Sequence, residues 1–118
     1  MSGRERHRIL CVSRSAYQLR AMRSAFPPRE YEVLSASTPE QAVAVCLGDH
    51  VSAVVLDSEF FTESGWSASR TLKMVNPKLP VMLLIKNAEG TVPNGVDAVA
   101  ESHSHILPKL KGLLGSGE

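Results

Sequence analysis

The sequence predicts an α/β fold in which a five-stranded parallel sheet is doubly wound, with helices on both faces and the strand order 2-1-3-4-5. Two observations predict it. Short apolar runs alternate with segments of helical spacing, and no repeat or low-complexity tract interrupts the alternation. Three of the runs are apolar almost throughout, which is typical of strands covered by helices on both faces. Such alternation with short connections implies right-handed crossovers and a parallel sheet.

Five strands can be assigned from these runs. Residues 9–12, 51–56 and 81–85 are nearly all apolar and are expected in the centre of the sheet. Residues 31–34 and 97–101 mix polar with apolar side chains, which is typical of strands with one exposed side. Placing these two strands at the edges gives the order 2-1-3-4-5.

The first two helices have clear boundaries. In the first, the expected buried face consists of Ala16, Leu19, Met22 and Phe26, and the proline pair at 27–28 ends the helix. The second begins with Thr38 as N-cap and Pro39 at its first position. Gln41 lies three residues after Thr38, where its side chain can bond back to the Thr38 backbone.

Two further helices follow. The third carries Ala68, Leu72 and Val75 on one face and stops at the Asn-Pro pair 76–77. The last is short, with its apolar face formed by Ile106, Leu110 and Leu113, and it tolerates Pro108 only in its first turn.

A regular alternating fold would place another helix between the fourth and fifth strands. Residues 86–96 contain two glycines and a proline, which leave room for about one helical turn. We therefore expect this fourth helix of the regular pattern to be shortened or absent, and the segment to be irregular.

Length and composition exclude several classes of protein. The 118 residues, 43% hydrophobic and 21% charged, match one globular domain spanning 1–118, with a core at about 7–114. The two cysteines, Cys11 and Cys46, lie in apolar runs, which is typical of free thiols in a reducing compartment. No apolar run approaches the ~20 residues of a membrane helix, and the first residues lack a signal-peptide pattern. The cytoplasm is the expected location.

Charge is distributed unevenly although the net charge is only +1. Residues 1–29 carry +6 and residues 30–70 carry −6. The basic stretch at 4–8 is short and has no aromatic residues among its cations, so a solvated terminus is favoured over a nucleic-acid contact. The balanced total likewise gives no general attraction to a membrane or to nucleic acid.

The strand order points to one place for a functional site. Doubly wound sheets bind ligands at the carboxyl ends of the strands, at the point where the strand order reverses. Here that point lies between the first and third strands. Ser13 and Arg14 follow the first strand, and Asp57 lies at the end of the third.

At this point the sequence resembles the receiver domain of two-component response regulators, a flavodoxin-like fold. The resemblance extends over about residues 7–114. Five segments carry it in the family's order: residues 9–12 (Ile-Leu-Cys-Val), 54–57 (Val-Val-Leu-Asp), 65–66 (Gly-Trp), 76–84 (Asn-Pro-Lys-Leu-Pro-Val-Met-Leu-Leu) and 95–99 (Gly-Val-Asp-Ala-Val). It implies that Asp57 occupies the phosphoacceptor position.

The resemblance also implies a chemistry that this sequence has altered. In the family, two acidic residues after the first strand help the strand-three aspartate to hold Mg²⁺, whereas here Ser13 and Arg14 stand at those positions. A hard divalent cation needs several anionic oxygens. We therefore expect no metal site and no cofactor, and Mg²⁺ only if Asp57 is a working phosphoacceptor. The family's switch hydroxyl aligns with Ile85 and its lysine with Ser102.

An arginine can take the place of the missing metal. Arg14 is expected to lie near Asp57 and the acidic loop that carries Glu59, and to hold the Asp57 carboxylate ionised through charge-assisted contacts. A solvated Arg14 at the start of a basic helix is the alternative interpretation. Lys86, just after the fourth strand, is the alternative cation and would serve less well as a bidentate partner.

Other chemistries have weaker signals. His103 and His105 have no cysteine or carboxylate partner close in sequence, so a metal site there is disfavoured. No glycine-rich phosphate loop or serine nucleophile elbow follows any strand, and the sequence does not predict an enzyme.

The resulting functional hypothesis is a divergent, pseudo-receiver-like signalling module of a phosphorelay. It would act by protein-protein interaction, as a monomer or weak homodimer, with weakened or lost phosphorylation. The alternative is a genuine phosphoacceptor, with Asp57 phosphorylated by a histidine kinase or phosphotransfer partner. A third possibility is that the chain is one part of a longer regulator with a separate output domain.

Overall fold

The computed structural model describes residues 6–57, 63–85 and 96–114, and for residues 63–68 it describes the backbone alone. Strands and helices alternate along the described residues up to the fourth strand. In order, the elements are β1 His7–Val12, α1 Ala16–Arg23, β2 Tyr31–Ala36, α2 Pro39–Gly48, β3 Ala53–Asp57, α3 Glu63–Val75, β4 Val81–Leu84, β5 Ala98–Ala100 and α4 His103–Leu113.

The five strands form one parallel sheet with the order β2-β1-β3-β4-β5. The predicted order and the assignment of central and edge strands are confirmed. All residues of β3 and β4 are buried, as expected for strands covered on both faces, while edge strand β2 leaves Ser35 exposed. The observed strand bounds differ from the predicted ones by one or two residues.

The sheet separates two apolar layers because successive side chains of a strand point to opposite faces. From β1, Leu10 and Val12 pack on the side of α2 and α3, whereas Ile9 and Cys11 pack on the side of α1 and α4. Each of these four residues is completely buried. Both layers are needed, since burying one such side chain stabilises the fold by about 1.5–3 kcal/mol.

Side-chain caps set the starts of α1 and α2. Ser15 Oγ accepts a hydrogen bond from the Gln18 backbone N at 3.1 Å, and Thr38 Oγ1 accepts one from Gln41 N at 3.1 Å. The predicted cap at Thr38 is therefore confirmed. The Gln41 side chain, however, bonds to the Ser37 backbone N at 2.8 Å and not to Thr38, one residue earlier than the capping-box pattern.

Two details of the predicted helices are wrong. Ala16 is exposed at the first position of α1, and Phe26 is buried beyond the helix end, so the buried face of α1 is shorter than the spacing indicated. Pro108 lies inside α4, six positions into the helix and past its first turn. The helix continues there although proline offers no N–H to the preceding turn.

The predicted loss of a helix between β4 and β5 concerns residues 86–96, of which 86–95 lie outside the described residues. No helix within the described ranges is long and apolar enough to cross a membrane.

Candidate functional site

Ser13 and Asp57 lie side by side at the carboxyl end of the sheet. β1 and β3 are neighbours, with Val12 paired to Leu56, so the next residue along each strand reaches the same edge. Ser13 Oγ donates a hydrogen bond to Asp57 Oδ2 at 2.7 Å. The predicted site at the reversal of strand order is therefore a direct contact between two side chains.

The Ser13 hydroxyl is used in both directions. Besides donating to Asp57, its oxygen accepts a hydrogen bond from the Ser15 backbone N at 3.1 Å. The Ser13 backbone N donates to the Ala36 carbonyl at 3.1 Å, which fixes the turn after β1. Ser13 is 0% exposed and Asp57 is 7% exposed, so solvent does little to screen their contact.

Sequence reasoning placed Ser13 in this pocket but did not assign it as a partner of Asp57. The available signal was the hydroxyl at the end of β1, facing a strand-end carboxylate in the adjacent strand. Arg14 follows in the turn and is exposed. The proposed contact between Arg14 and Asp57 stays a prediction.

The other residues predicted for the pocket have different surroundings. Ile85 is half-buried against the α2 and α3 layer, and its backbone N donates to the Ala100 carbonyl at 2.9 Å. Ser102 is the N-cap residue of α4, and its hydroxyl lies 3.0 Å from Ser104 Oγ. Glu59 and Lys86 lie outside the described residues.

The described side chains at this point supply little of the donor set of the Mg²⁺ ion that the receiver resemblance implies. They comprise one carboxylate, Asp57, and the Ser13 hydroxyl, and the exposed Arg14 follows in the turn. Mg²⁺ prefers an octahedral set of oxygens that includes anionic ones, and a guanidinium repels it. Across the three described ranges, no group of three histidine, cysteine or acidic side chains could hold a metal.

His103 has a structural contact that the sequence did not indicate. Its Nε2 lies 2.9 Å from Gln18 Oε1, which joins the start of α4 to α1 across one face of the sheet. His105 is exposed. The two histidines of this pair therefore face different surroundings.

The two cysteines are free thiols, with Cys11 buried and Cys46 half-buried. Burial raises the pKa of Cys11 to about 12, an effect that the nearby Arg23 charge opposes. Burial also raises the pKa of Cys46. Neither thiol has the lowered pKa of a nucleophilic cysteine.

Comparison with known proteins gives a result from structure alone. No protein-family model matches the sequence, and no curated protein matches it either.

Many solved structures are similar to this chain in their fold. A CheY-like response regulator receiver domain protein from Methanospirillum hungatei is 18% identical, with a TM-score of 0.76 and coverage of 93% of this chain and 94% of that one. A response regulator from Thermotoga maritima is 16% identical, with a TM-score of 0.77 and coverage of 95% and 100%.

The N-terminal domain of a response regulator/sensory box/GGDEF protein from Carboxydothermus hydrogenoformans is 23% identical, with a TM-score of 0.72 and coverage of 91% and 93%. These likenesses extend over nearly the whole chain, and the strand order agrees with them. These structures confirm, at the level of the fold, the resemblance noted in the sequence. The chain has the fold of CheY-like response regulator receiver domains.

Proposed function

We propose that this protein is a receiver-like signalling module of a phosphorelay that acts by protein-protein interaction and whose phosphoryl chemistry is weakened or lost. The observation that carries the proposal is the hydrogen bond from Ser13 to Asp57. It puts a neutral hydroxyl on the carboxylate at the position where the resemblance implies a metal-binding acid.

The chemical reason is charge. A phosphoryl group approaching a carboxylate brings negative charge, and a bound cation would offset it. The Ser13 hydroxyl is hydrogen-bonded to Asp57 Oδ2 and is itself buried. It cannot move aside without losing two hydrogen bonds. Arg14 supplies one positive charge in this part of the chain, half that of Mg²⁺, and a guanidinium donates hydrogen bonds to oxygens instead of coordinating them.

The alternative function is a genuine phosphoacceptor. Asp57 ends β3 at the reversal of strand order and retains 7% exposure, which favours this alternative. In that reaction an Asp57 oxygen would form a bond to phosphorus while the bond from phosphorus to a phosphohistidine nitrogen breaks on the partner. Mg²⁺ would then be required, and Glu59 would be the first candidate for an added ligand.

The proposed partners are signalling proteins: a kinase, a phosphotransfer protein or an output protein. The proposal includes no enzyme activity, no cofactor and no nucleic-acid or membrane contact. It places the protein in the cytoplasm as a monomer or weak homodimer. Support comes from the fold and from the balanced net charge of +1.

One titration tests the proposal. The full chain would be titrated with Mg²⁺ and then with beryllofluoride, a phosphoryl mimic, and followed by backbone amide shifts and by the fluorescence of its single tryptophan, Trp66. We expect no saturable change at millimolar Mg²⁺. The matched control is Asp57→Asn. Saturable shifts at Ser13, Arg14 and Asp57 that disappear in the control would replace the proposal with the phosphoacceptor alternative.

A further inference from the structure

Two adjoining cavities lie at the amino end of the sheet, opposite to Asp57. One has a volume of about 390 Å³ and the other of about 410 Å³, and Arg6 and His50 line both. β1 spans six residues from His7 to Val12. At about 3.3 Å per residue, the cavities lie about 20 Å from Ser13. They therefore form a separate place for a ligand, here called the amino-end groove.

Of the two cavities, the 390 Å³ one has the more positive net charge among its lining residues. Arg6, Lys78, His7 and His50 are among the residues that line it, and the described residues that line it include no carboxylate. Arg6 is held in place, because its guanidinium donates to the Pro28 carbonyl at 3.1 Å and its Nη2 lies 3.9 Å from Glu32 Oε1 at the edge of the other cavity. Two separate parts of the chain, at Arg6 and at Lys78, thus bring cations to one cavity.

The same cavity has an apolar floor. Val51 and Leu79 are 6% and 2% exposed, and Leu114 at the end of α4 adds a half-buried wall. The loop that carries Lys78 is fixed, because the Lys78 backbone N donates to Asn76 Oδ1 at 3.1 Å. The His7 ring packs against Tyr31 with centroids 5.9 Å apart. Cations and apolar residues therefore line the same cavity.

We propose that the amino-end groove binds a phosphomonoester that carries a flat apolar group and is about the size of a nucleoside monophosphate. The cavity volume falls in the range of small-molecule sites. An arginine and a lysine can bind a phosphate through charge-assisted hydrogen bonds. The apolar floor would receive the ring. This inference is independent of the chemistry at Asp57.

An extended acidic peptide fits the groove less well. The 410 Å³ cavity contains Glu32, whose Oε1 accepts from Arg8 Nε at 3.2 Å. Asp49 lies beside the same arginine, with Oδ1 3.6 Å from Arg8 Nη1. These carboxylates neutralise Arg8 and would repel a long polyanion that continues from one cavity into the next. A compact ligand whose charged end lies beside Lys78, in the 390 Å³ cavity, meets these carboxylates less.

The test is an amide-shift titration of the full chain with adenosine 5′-monophosphate. Adenosine and inorganic phosphate serve as partial ligands, and hexaglutamate serves as an acidic peptide. We expect saturable shifts at His7, His50 and Lys78 with the nucleotide. Each of the other probes should bind with an affinity lower by about tenfold or more. Lys78→Glu should weaken nucleotide binding about tenfold or more, because a charged hydrogen bond becomes a repulsion. The matched control is Arg20→Glu on the exposed face of α1, which should leave the affinity unchanged.

Several results would overturn the inference. If adenosine binds as tightly as the nucleotide, the groove does not recognise the phosphate. If inorganic phosphate binds as tightly as the nucleotide, the groove does not recognise the ring. Tighter binding of hexaglutamate would make the groove a surface for acidic proteins. An equal loss in Arg20→Glu, shifts centred on α1, or no saturation with the nucleotide would show unspecific attraction alone. Unchanged amide shifts far from position 78 would establish that Lys78→Glu folds normally.

Discussion

Ser13 Oγ donates to Asp57 Oδ2 at 2.7 Å, across the ends of two neighbouring strands in the centre of the sheet. The hydroxyl also accepts from the Ser15 backbone, so one buried side chain joins β3 to the turn that starts α1. The contact therefore connects the stability of the fold with the chemistry available to Asp57.

Removing the hydroxyl is expected to destabilise the protein. In Ser13→Ala, the buried Asp57 carboxylate loses the Ser13 donor and the Ser15 N–H loses the Ser13 acceptor, which should cost about 1–3 kcal/mol. Urea unfolding measures the change. The control is Ser35→Ala, an exposed serine of β2, for which about 0.5 kcal/mol or less is expected. Equal stabilities of Ser13→Ala and the parent would mean that water replaces both contacts.

Restoring carboxylates should restore a cation site. The double variant Ser13→Asp with Arg14→Asp places three carboxylates at the ends of β1 and β3, which is the kind of donor set that Mg²⁺ requires. We expect calorimetry to detect Mg²⁺ binding in this variant and none in the parent. Adding Asp57→Asn should abolish the binding. A double variant that folds yet ignores millimolar Mg²⁺ would show that the pocket lacks the receiver geometry.

Asp97 joins three elements. Its Oδ2 accepts from the Val81 backbone N at 2.8 Å and pairs with Lys73 Nζ on α3. The carboxylate is 36% exposed, so the ion pair itself contributes little and the backbone contact contributes more. Asp97→Ala should therefore destabilise the protein by about 1–2 kcal/mol, whereas Lys73→Ala should cost about 0.5 kcal/mol. Urea unfolding of both variants decides between the two contributions, and a larger loss in Lys73→Ala would contradict this ranking.

The buried thiol of Cys11 should make stability fall at high pH. Its pKa is raised by burial from 9.0 to about 12, so the unfolded chain ionises first as the pH rises. The stabilisation is complete below pH 9 and is lost progressively between pH 9 and about pH 12.

Unfolding in urea at pH 7 and pH 10 measures this effect. We expect the parent to lose more stability over that interval than Cys11→Ala, in which no thiol titrates at this position. Ellman's reagent provides a second check, because Cys46 is half-buried and should react before Cys11. Identical pH profiles of the two proteins would contradict the expected role of Cys11.

Much of the fold was predictable from the sequence because it depends on local patterns. Continuous apolar runs marked β3 and β4 as central strands, and mixed runs marked β2 and β5 as edges. The cap at Thr38 followed from three neighbouring residues. Pro108 shows the limit of such rules, since the packing of buried Ile106 and Leu110 carries α4 through a residue that disfavours it.

The sequence by itself determined that Ser13 and Asp57 stand at strand ends, because strand order and strand length follow from the hydrophobic pattern. Only the tertiary structure decided that the Ser13 hydroxyl donates to Asp57, since the contact depends on register and on side-chain orientation between residues 44 positions apart. The amino-end groove has the same origin. Its cations come from the start of β1 and from the loop after α3, and no local pattern links these segments.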